Sequence, residues 1–433
     1  MSAPRDPFLA LRNPEFRSFI GVRFFTTFAL QMQFTALAWT TYARTDSKLA
    51  LGALGLCEFL PVILLALPVG HQVEKLEKKR VLLAALGVAL LGSTLIAALN
   101  LPALHDRLPL QALIGGFFAL VALGGVVRAY FAPTFFSLIG GIVQPGQQTN
   151  SATWTASAFL AAQVTGPVAG GLLLHAVGGF GAQLAVIALL GVALFFGTRL
   201  NRHLPVAHPA AHLEHRETDR QKLLAGLRFV LGNPYMLGAS LLDLLAVLFG
   251  DAVPLLPVFV KEALGMDEQA YGILRAMPGI GSCIMMVTLA RFPPRKNAGK
   301  ILLGVVFAYG LGMLAFGSLG LGAVKNHLTV PALFGLTLAI LLVCGALDGV
   351  SVIIRQSIMQ LHTPAHMRGR IGSVNSIFIS SSNELGSFVS GSMAAAMGLV
   401  PAILAGGAFI LALTAGTAWF NPTLRKMDLQ DRK

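Results

Sequence analysis

The chain has 433 residues, of which 55% are hydrophobic and 12% are charged, and its mean hydropathy is +0.72. This composition is too apolar for a soluble protein, so it excludes a secreted disulfide scaffold, a DNA-binding domain and an ordinary cytosolic enzyme. The net charge of +13 would suggest nucleic-acid binding in a soluble protein. Here the basic residues lie between apolar runs, as in the loops of membrane proteins, so we expect a lipid bilayer and no nucleic acid as partner.

Apolar runs long enough to cross a bilayer recur along the chain, since about 20 apolar residues suffice for a transmembrane helix. They lie at about 17–42, 49–70, 80–100, 109–134, 150–174, 180–199, 235–260, 269–290, 300–322, 330–356, 371–397 and 400–420. The sequence therefore predicts an all-α integral membrane protein with 12 transmembrane helices. An even number of spans places both termini on one side of the membrane.

The distribution of basic residues predicts the orientation. Loops on the side of the two termini contain 23 Lys and Arg residues, whereas the opposite loops contain five. Cytoplasmic loops are enriched in Lys and Arg. We therefore expect a multi-pass protein of the cell inner (plasma) membrane with cytoplasmic N- and C-termini.

The longest polar stretch divides the chain into two sets of six spans. We predict an N-terminal six-helix bundle at 1–199, a cytoplasmic linker with an amphipathic helix at 200–232, and a C-terminal six-helix bundle at 233–433. The linker contains four histidines, His203, His208, His212 and His215. Their surroundings are more typical of a solvated linker than of a metal site, so no metal is expected.

The two halves resemble copies of each other. A shift of 220 residues places Asn13-Pro14 on Asn233-Pro234, Gly125 on Gly345 and Gly166 on Gly386. Two pseudo-symmetric bundles in parallel orientation place a binding site at their interface near the bilayer midplane. The sequence thus predicts a substrate site between the halves.

Charged residues inside the spans are candidates for function, because each costs at least ~2.5–3.5 kcal/mol at mid-bilayer. There are nine: Arg23, Glu58, Arg128, Asp243, Asp251, Arg275, Asp348, Arg355 and Glu384. The carboxylates Asp243, Asp251, Asp348 and Glu384 are the candidate proton carriers. The remaining charges, together with Gln31, are candidate cavity residues or gate partners.

The same shift of 220 residues suggests which of these charges correspond. Arg23 falls on Asp243, and Arg128 falls on Asp348. Both pairs could bridge the halves as a charged cytoplasmic gate, or they could be static salt bridges that hold two bundles together. Gln31 falls on Asp251, where a polar pair would face a central cavity.

Two glutamates have competing interpretations. Glu384 lies in SSSNELGSF, where its carboxylate could bind neighbouring Ser and Asn side chains or could accept a proton from a buried position. Glu58 could line a cavity wall or have no functional role. No HExxH, GxSxG or GxxxxGK[ST] motif occurs, so the sequence favours neither an enzyme nor direct ATP coupling, and no cofactor is expected.

The segment AQVTGPVAGG at 162–171 allows close helix packing through Gly166, Gly170 and Gly171, and Pro167 bends the helix. It resembles the fifth-helix motif GxxxGPxxGG of the major facilitator superfamily. The loop GHQVEKLEKKR at 70–80 is similar to that family's GxxxDRxGRR loop. Gly70, Lys75, Lys78 and Lys79 agree with the pattern, Glu74 replaces the usual Asp, and Glu77 replaces the usual Gly.

This resemblance covers nearly the whole chain and is strongest to the drug and siderophore exporter branch. The resemblance also rests on the segments 11–25, 128–133, 241–259, 272–281 and 363–388. It implies a monomeric secondary active transporter that exchanges a small amphipathic substrate for protons by alternating access, with the 70–80 loop latching the halves. A lysophospholipid flippase-like carrier and a non-transporting membrane receptor stay open as alternatives.

Overall fold

The computed structural model describes residues 8–105, 107–143, 147–201, 219–292, 296–364 and 367–429. Within these ranges the chain is almost wholly helical and contains no strand. Most of the predicted linker, including its four histidines, lies outside the described residues. A helix at Asp219–Gly232 covers the segment for which the amphipathic helix is predicted.

The described ranges contain twelve helices of 14 residues or more. They are α1 Pro14–Thr45, α2 Lys48–Lys75, α3 Lys78–Leu99, α4 Leu110–Ile142, α5 Gln148–Thr198, α6 Asp219–Gly232, α7 Pro234–Gly250, α8 Glu268–Arg291, α9 Ala298–Ser318, α10 Val330–His362, α11 Arg368–Met397 and α12 Leu399–Phe420. Short helical turns connect several of them, including a 3-10 turn at Val253–Leu255 and a π-helical turn at Phe259–Leu264 after α7.

Nine segments of the described chain are long and apolar enough to cross a membrane. One of them covers predicted spans five and six, which α5 joins across Gly178. Gly178 has a φ of +69°, a backbone conformation that glycine adopts without strain, so the helix direction can change there. Helices α1 and α11 have spanning length but are richer in polar residues, and they are not among the nine. The all-α membrane fold is confirmed.

The chain divides into two compact units, residues 1–40 with 60–215, and residues 41–59 with 216–433. The segment 41–59 joins the second unit through polar contacts. The Tyr42 hydroxyl donates a hydrogen bond to Glu262, and Lys48 Nζ lies 3.2 Å from Glu262 Oε1. Lys261 pairs with Asp46. The domain boundaries predicted from the sequence remain a prediction, and these units differ from them at 41–59.

The core of the first unit forms where α1 packs on α3, α4 and α5. Fully buried Phe19, Val22 and Met32 of α1 belong to the same apolar cluster as Leu82 and Leu86 of α3. Burial of such side chains stabilises the bundle against loss of helix contacts. Because α1 is held on several sides, the polar residues along it have fixed positions.

The glycines of α5 allow this helix to approach α1 closely. A methyl carbon at Gly166 would lie 2.7 Å from the Cβ of Gln31, and one at Gly170 would lie 2.8 Å from the Met32 carbonyl oxygen. Pro167 is buried between them. The motif at 162–171 therefore packs α5 on α1.

In the second unit α8 packs on α10 so closely that backbone meets backbone. A methyl carbon at Gly345 of α10 would overlap the carbonyl group of Pro278 in α8, and one at Gly281 would overlap the carbonyl oxygen of Leu342. Close approach of this kind lets dispersion forces hold two membrane helices together.

The residues after α12 return to the second unit. Pro422–Arg425 forms a short helix, the Gly299 amide donates to the Met427 carbonyl at 3.1 Å, and the Asn297 amide donates to Asp428 at 2.5 Å. A methyl carbon at Gly299 would overlap the Leu424 carbonyl oxygen. Residues 422–428 are therefore packed against the start of α9.

We expect Asn233→Ala to lower the free energy of unfolding by about 1 kcal/mol, because Asn233 caps α7. Its side-chain oxygen accepts hydrogen bonds from the amides of Tyr235 (3.0 Å) and Met236 (3.2 Å). Gln147 precedes α5 without a side-chain cap, so Gln147→Ala is the matched control and should have almost no effect. Thermal unfolding in detergent measures both, and equal losses would contradict the capping role.

Candidate functional site

A cavity of about 340 Å³ lies within the second unit, among α7, α9, α10 and α11. Three carboxylates and one guanidinium face it: Asp243, Asp251, Asp348 and Arg355. Apolar side chains such as Met313 and Leu341 form other parts of the wall. Cavities of this size, mostly apolar with a few convergent polar groups, are typical of small-molecule sites.

Arg355 is shared by two of the carboxylates. Its Nη1 forms an ion pair with Asp243 Oδ2, and its Nη2 lies 4.0 Å from Asp348 Oδ1. The Asp243 and Arg355 side chains are 15% and 14% exposed, whereas Asp348 is 49% exposed. Asp243 and Arg355 thus form a largely buried pair, and Asp348 has the accessible carboxylate.

Asp251 lies where the chain leaves α7. Its Oδ1 accepts a hydrogen bond from the Val253 amide at 2.9 Å, and its carbonyl accepts one from Ser390 Oγ at 2.8 Å. Tyr309 of α9 is a hydrogen-bond partner of its carboxylate, and Arg275 of α8 is near enough for electrostatic attraction. Asp251 therefore links three helices at the point where α7 breaks.

Within the second unit, two of the carboxylates share one basic partner. Both Asp243 and Asp348 lie beside Arg355. The pairs that the 220-residue shift suggests between the halves, Arg23 with Asp243 and Arg128 with Asp348, stay predictions. Arg355 is seven residues after Asp348, which places both on one face of α10.

Arg23, Gln31 and Arg128 have the following surroundings within the first unit. The guanidinium of Arg23 lies 4.8 Å from the ring centre of Phe135 and 4.6 Å from that of Phe159. The Gln31 amide donates a hydrogen bond to Gln163, which joins α1 to α5. Arg128 is exposed on α4.

Glu384 and Glu58 do not line the cavity that contains Asp243, Asp251 and Asp348, which we call the acidic cavity. Glu384 is half-buried on α11, where its Oε2 would be 3.6 Å from a methyl carbon built on Gly55 of α2. Glu58 is half-buried one turn further along α2. Three of the four predicted proton carriers are therefore brought together, and the fourth lies beside the 41–59 segment.

The segment 70–80, predicted as a loop, is mostly helical: α2 continues to Lys75, α3 begins at Lys78, and only Leu76 and Glu77 lie between them. Lys79 of α3 caps the end of another helix. Its Nζ donates to the carbonyl oxygens of Thr198 (2.7 Å) and Leu200 at the end of α5. A cation at this position is favoured by the helix dipole. Lys75 is exposed, whereas the surroundings of Gly70 and of the Glu74 side chain lie outside what the structure describes.

Sequence reasoning missed several polar cavity residues. They are Tyr309, Ser351, Gln356, Asn375, Ser382 and Asn383. A signal was available for Tyr309, which is the one tyrosine in the apolar run at 300–322. Among the described residues no group of His, Cys, Asp and Glu could hold a metal ion.

Comparison with known proteins identifies relatives along almost the whole chain. The enterobactin exporter EntS of Shigella dysenteriae serotype 1 (strain Sd197) is 27% identical over 401 residues, which cover 91% of this chain and 89% of the exporter. EntS of Escherichia coli O139:H28 (strain E24377A / ETEC) gives the same identity and coverage.

Solved structures share the fold at low sequence identity. A bacterial homologue of the human lysosomal transporter Spinster, in an inward-facing and unoccupied conformation, has a TM-score of 0.69 and 14% identity over 97% of this chain and 98% of its own. A POT family transporter in complex with 5-aminolevulinic acid has a TM-score of 0.70 and 12% identity over 94% and 96%. The family profile described as Major Facilitator Superfamily matches residues 19–389. The chain is a multi-pass membrane transporter, not an enzyme, and belongs to the Major Facilitator Superfamily.

Proposed function

We propose that this transporter is a proton-coupled exporter of amphipathic small molecules, of the drug or siderophore type, which works by alternating access. In this proposal the protein lies in the inner membrane as a monomer with both termini in the cytoplasm. The observation that carries it is the shared Arg355 in the acidic cavity of the second unit. The similarity to enterobactin exporters supports the direction of transport and the substrate type.

The shared arginine offers a way to couple protons to conformation. When Asp243 and Asp348 are both ionised, they compete for Arg355. A proton on Asp243 removes the stronger of the two attractions, so Arg355 is free to move toward Asp348. A side chain with two partners can thus report protonation as a change of contacts, which is what a gate requires.

The cavity lining supports an amphipathic substrate. Apolar residues such as Met313, Leu341 and Val306 offer contact area, whereas Asn375 and Asn383 offer hydrogen bonds that fix orientation. Asp251 and Asp348 are the remaining carboxylates in reach of the cavity. They are the second candidates for proton binding.

Export from energised membrane vesicles tests this function. We expect efflux of fluorescent amphipaths or catecholate siderophores that a protonophore abolishes and that Asp243→Asn also abolishes. Asp46→Asn is the matched control, because Asp46 is 75% exposed in the pair with Lys261 and should leave export intact. Export that survives the protonophore would overturn proton coupling. Movement of lysophospholipid with no amphipath efflux would support a lipid carrier instead.

A further inference from the structure

Arg23 has no acidic partner within the first unit. Among the described residues of that unit, no carboxylate lies within ion-pair distance of its guanidinium, and its Nε is buried without a hydrogen bond. Its contacts are the rings of Phe135 and Phe159. In contrast, Arg355 in the second unit pairs with Asp243.

A charged side chain without a partner in a membrane span costs free energy unless another group neutralises or hydrates it. A guanidinium in a membrane span is normally paired, hydrated or used for function. Contact with aromatic rings offsets only part of the cost of removing the charge from water. A negatively charged group beside Arg23 would therefore stabilise its guanidinium.

The neighbourhood of Arg23 adds hydroxyl groups that also lack partners. Thr26 follows Arg23 by about one turn of α1, and Thr134 precedes Phe135 in α4. The Oγ1 atoms of both threonines are buried without a hydrogen bond. Both side chains are almost fully buried, at 2% and 1% exposed, so they add to the unsatisfied polar groups of the first unit without reaching a ligand.

Two aromatic side chains flank the guanidinium of Arg23. The ring centre of Phe135 of α4 lies 4.8 Å from it, and that of Phe159 of α5 lies 4.6 Å from it. Phe159 is partly buried, and Ser157 before it in α5 is exposed. A flat apolar ligand body can pack on such rings, while Arg23 itself is only partly buried and can be reached.

We propose that Arg23 binds the anionic group of the substrate, and that the substrate class is an aromatic compound with a carboxylate or phenolate. A planar guanidinium matches two oxygens of such a group, and binding neutralises the unpaired charge. This inference rests on the proposed export of amphipathic molecules and specifies the charge of the molecule. A cationic ligand would be repelled by Arg23, whatever its apolar body.

Equilibrium dialysis of the full-length protein in detergent tests the site without any proton gradient, so it is independent of proton coupling. The probes share one ring system and differ in charge: 2-naphthoate, 2-naphthalenemethanol and 2-naphthylmethylammonium. Arg23→Gln should weaken 2-naphthoate binding at least tenfold and leave the other two unchanged or tighter. Arg23→Lys keeps the positive charge but loses the paired N–H donors of the guanidinium, so it should give an intermediate loss of 2-naphthoate affinity. This variant provides the test if Arg23→Gln fails to fold.

Arg199→Gln is the matched control, since Arg199 also contacts an aromatic ring, that of Phe195 at 4.4 Å, but is exposed at the end of α5. It should bind all three probes as the wild type does. The site would be overturned if the wild type did not bind 2-naphthoate, if Arg23→Gln bound it with unchanged affinity, or if all three probes lost affinity equally. Binding that passes this test with no protonophore-sensitive efflux would refute the proposed coupling and keep the anion site.

Discussion

Arg355→Gln is expected to abolish export and to lower the free energy of unfolding by about 3–5 kcal/mol. The substitution leaves the Asp243 carboxylate largely buried without its counter-ion, and a buried charge without a partner is strongly destabilising. It also removes the group for which Asp243 and Asp348 compete. Thermal unfolding in detergent and vesicle export measure the two effects separately.

The double variant Arg355→Gln/Asp243→Asn separates structure from mechanism. Since both charges are removed, we expect most of the lost stability to return while export stays absent. Lys261→Gln breaks the exposed pair with Asp46 and is the matched control, with an expected cost of about 0–1 kcal/mol. Return of export in the double variant would show that the pair is a static bridge.

Gly345→Leu is expected to prevent folding or to lower the yield of folded protein several-fold. A side chain at Gly345 would overlap the backbone of Pro278, and backbone cannot turn away as a flexible side chain can. Overpacking of a close-packed interior costs roughly 1–3 kcal/mol even when neighbours can adjust. Here α8 and α10 would have to separate, so we expect a loss at the upper end of that range or beyond it.

Gly335→Leu is the control on the same helix, because a methyl carbon at Gly335 meets nothing within 4 Å. It should fold and export as the wild type does. Size-exclusion profiles in detergent and the temperature of unfolding give the comparison. A well-folded Gly345→Leu protein would mean that α8 and α10 are not held in the contact described.

Hydropathy predicted most of the fold because each span must bury its own backbone polar groups in a helix. The break inside α5 at Gly178 agrees with the boundary predicted between spans five and six. Helices α1 and α11 were predicted from the apolar runs at 17–42 and 371–397, although both helices contain more polar residues than the other spans. The bounds of α7 could not be predicted, because the 3-10 and π-helical turns after Gly250 depend on packing by α8 and α11.

The site could be predicted in its residues but not in its contacts. Intramembrane carboxylates are rare enough to be found by inspection, and Asp243, Asp251 and Asp348 do share a cavity. The pairing of Asp348 with Arg355 had a signal in their seven-residue spacing, since i and i+7 lie on one helix face. The pairing of Asp243 with Arg355 had none, because it depends on how α7 and α10 are rotated.

The packed chain end has a practical consequence for protein production. Residues 422–428 form hydrogen bonds with the start of α9, so they belong to the folded second unit and cannot be removed without losing these contacts. A purification tag or fluorescent reporter fused after residue 420 would replace Leu424, Met427 and Asp428 with foreign sequence. Fusions should therefore begin beyond Asp428 and carry a flexible spacer, so that the reporter leaves these contacts intact.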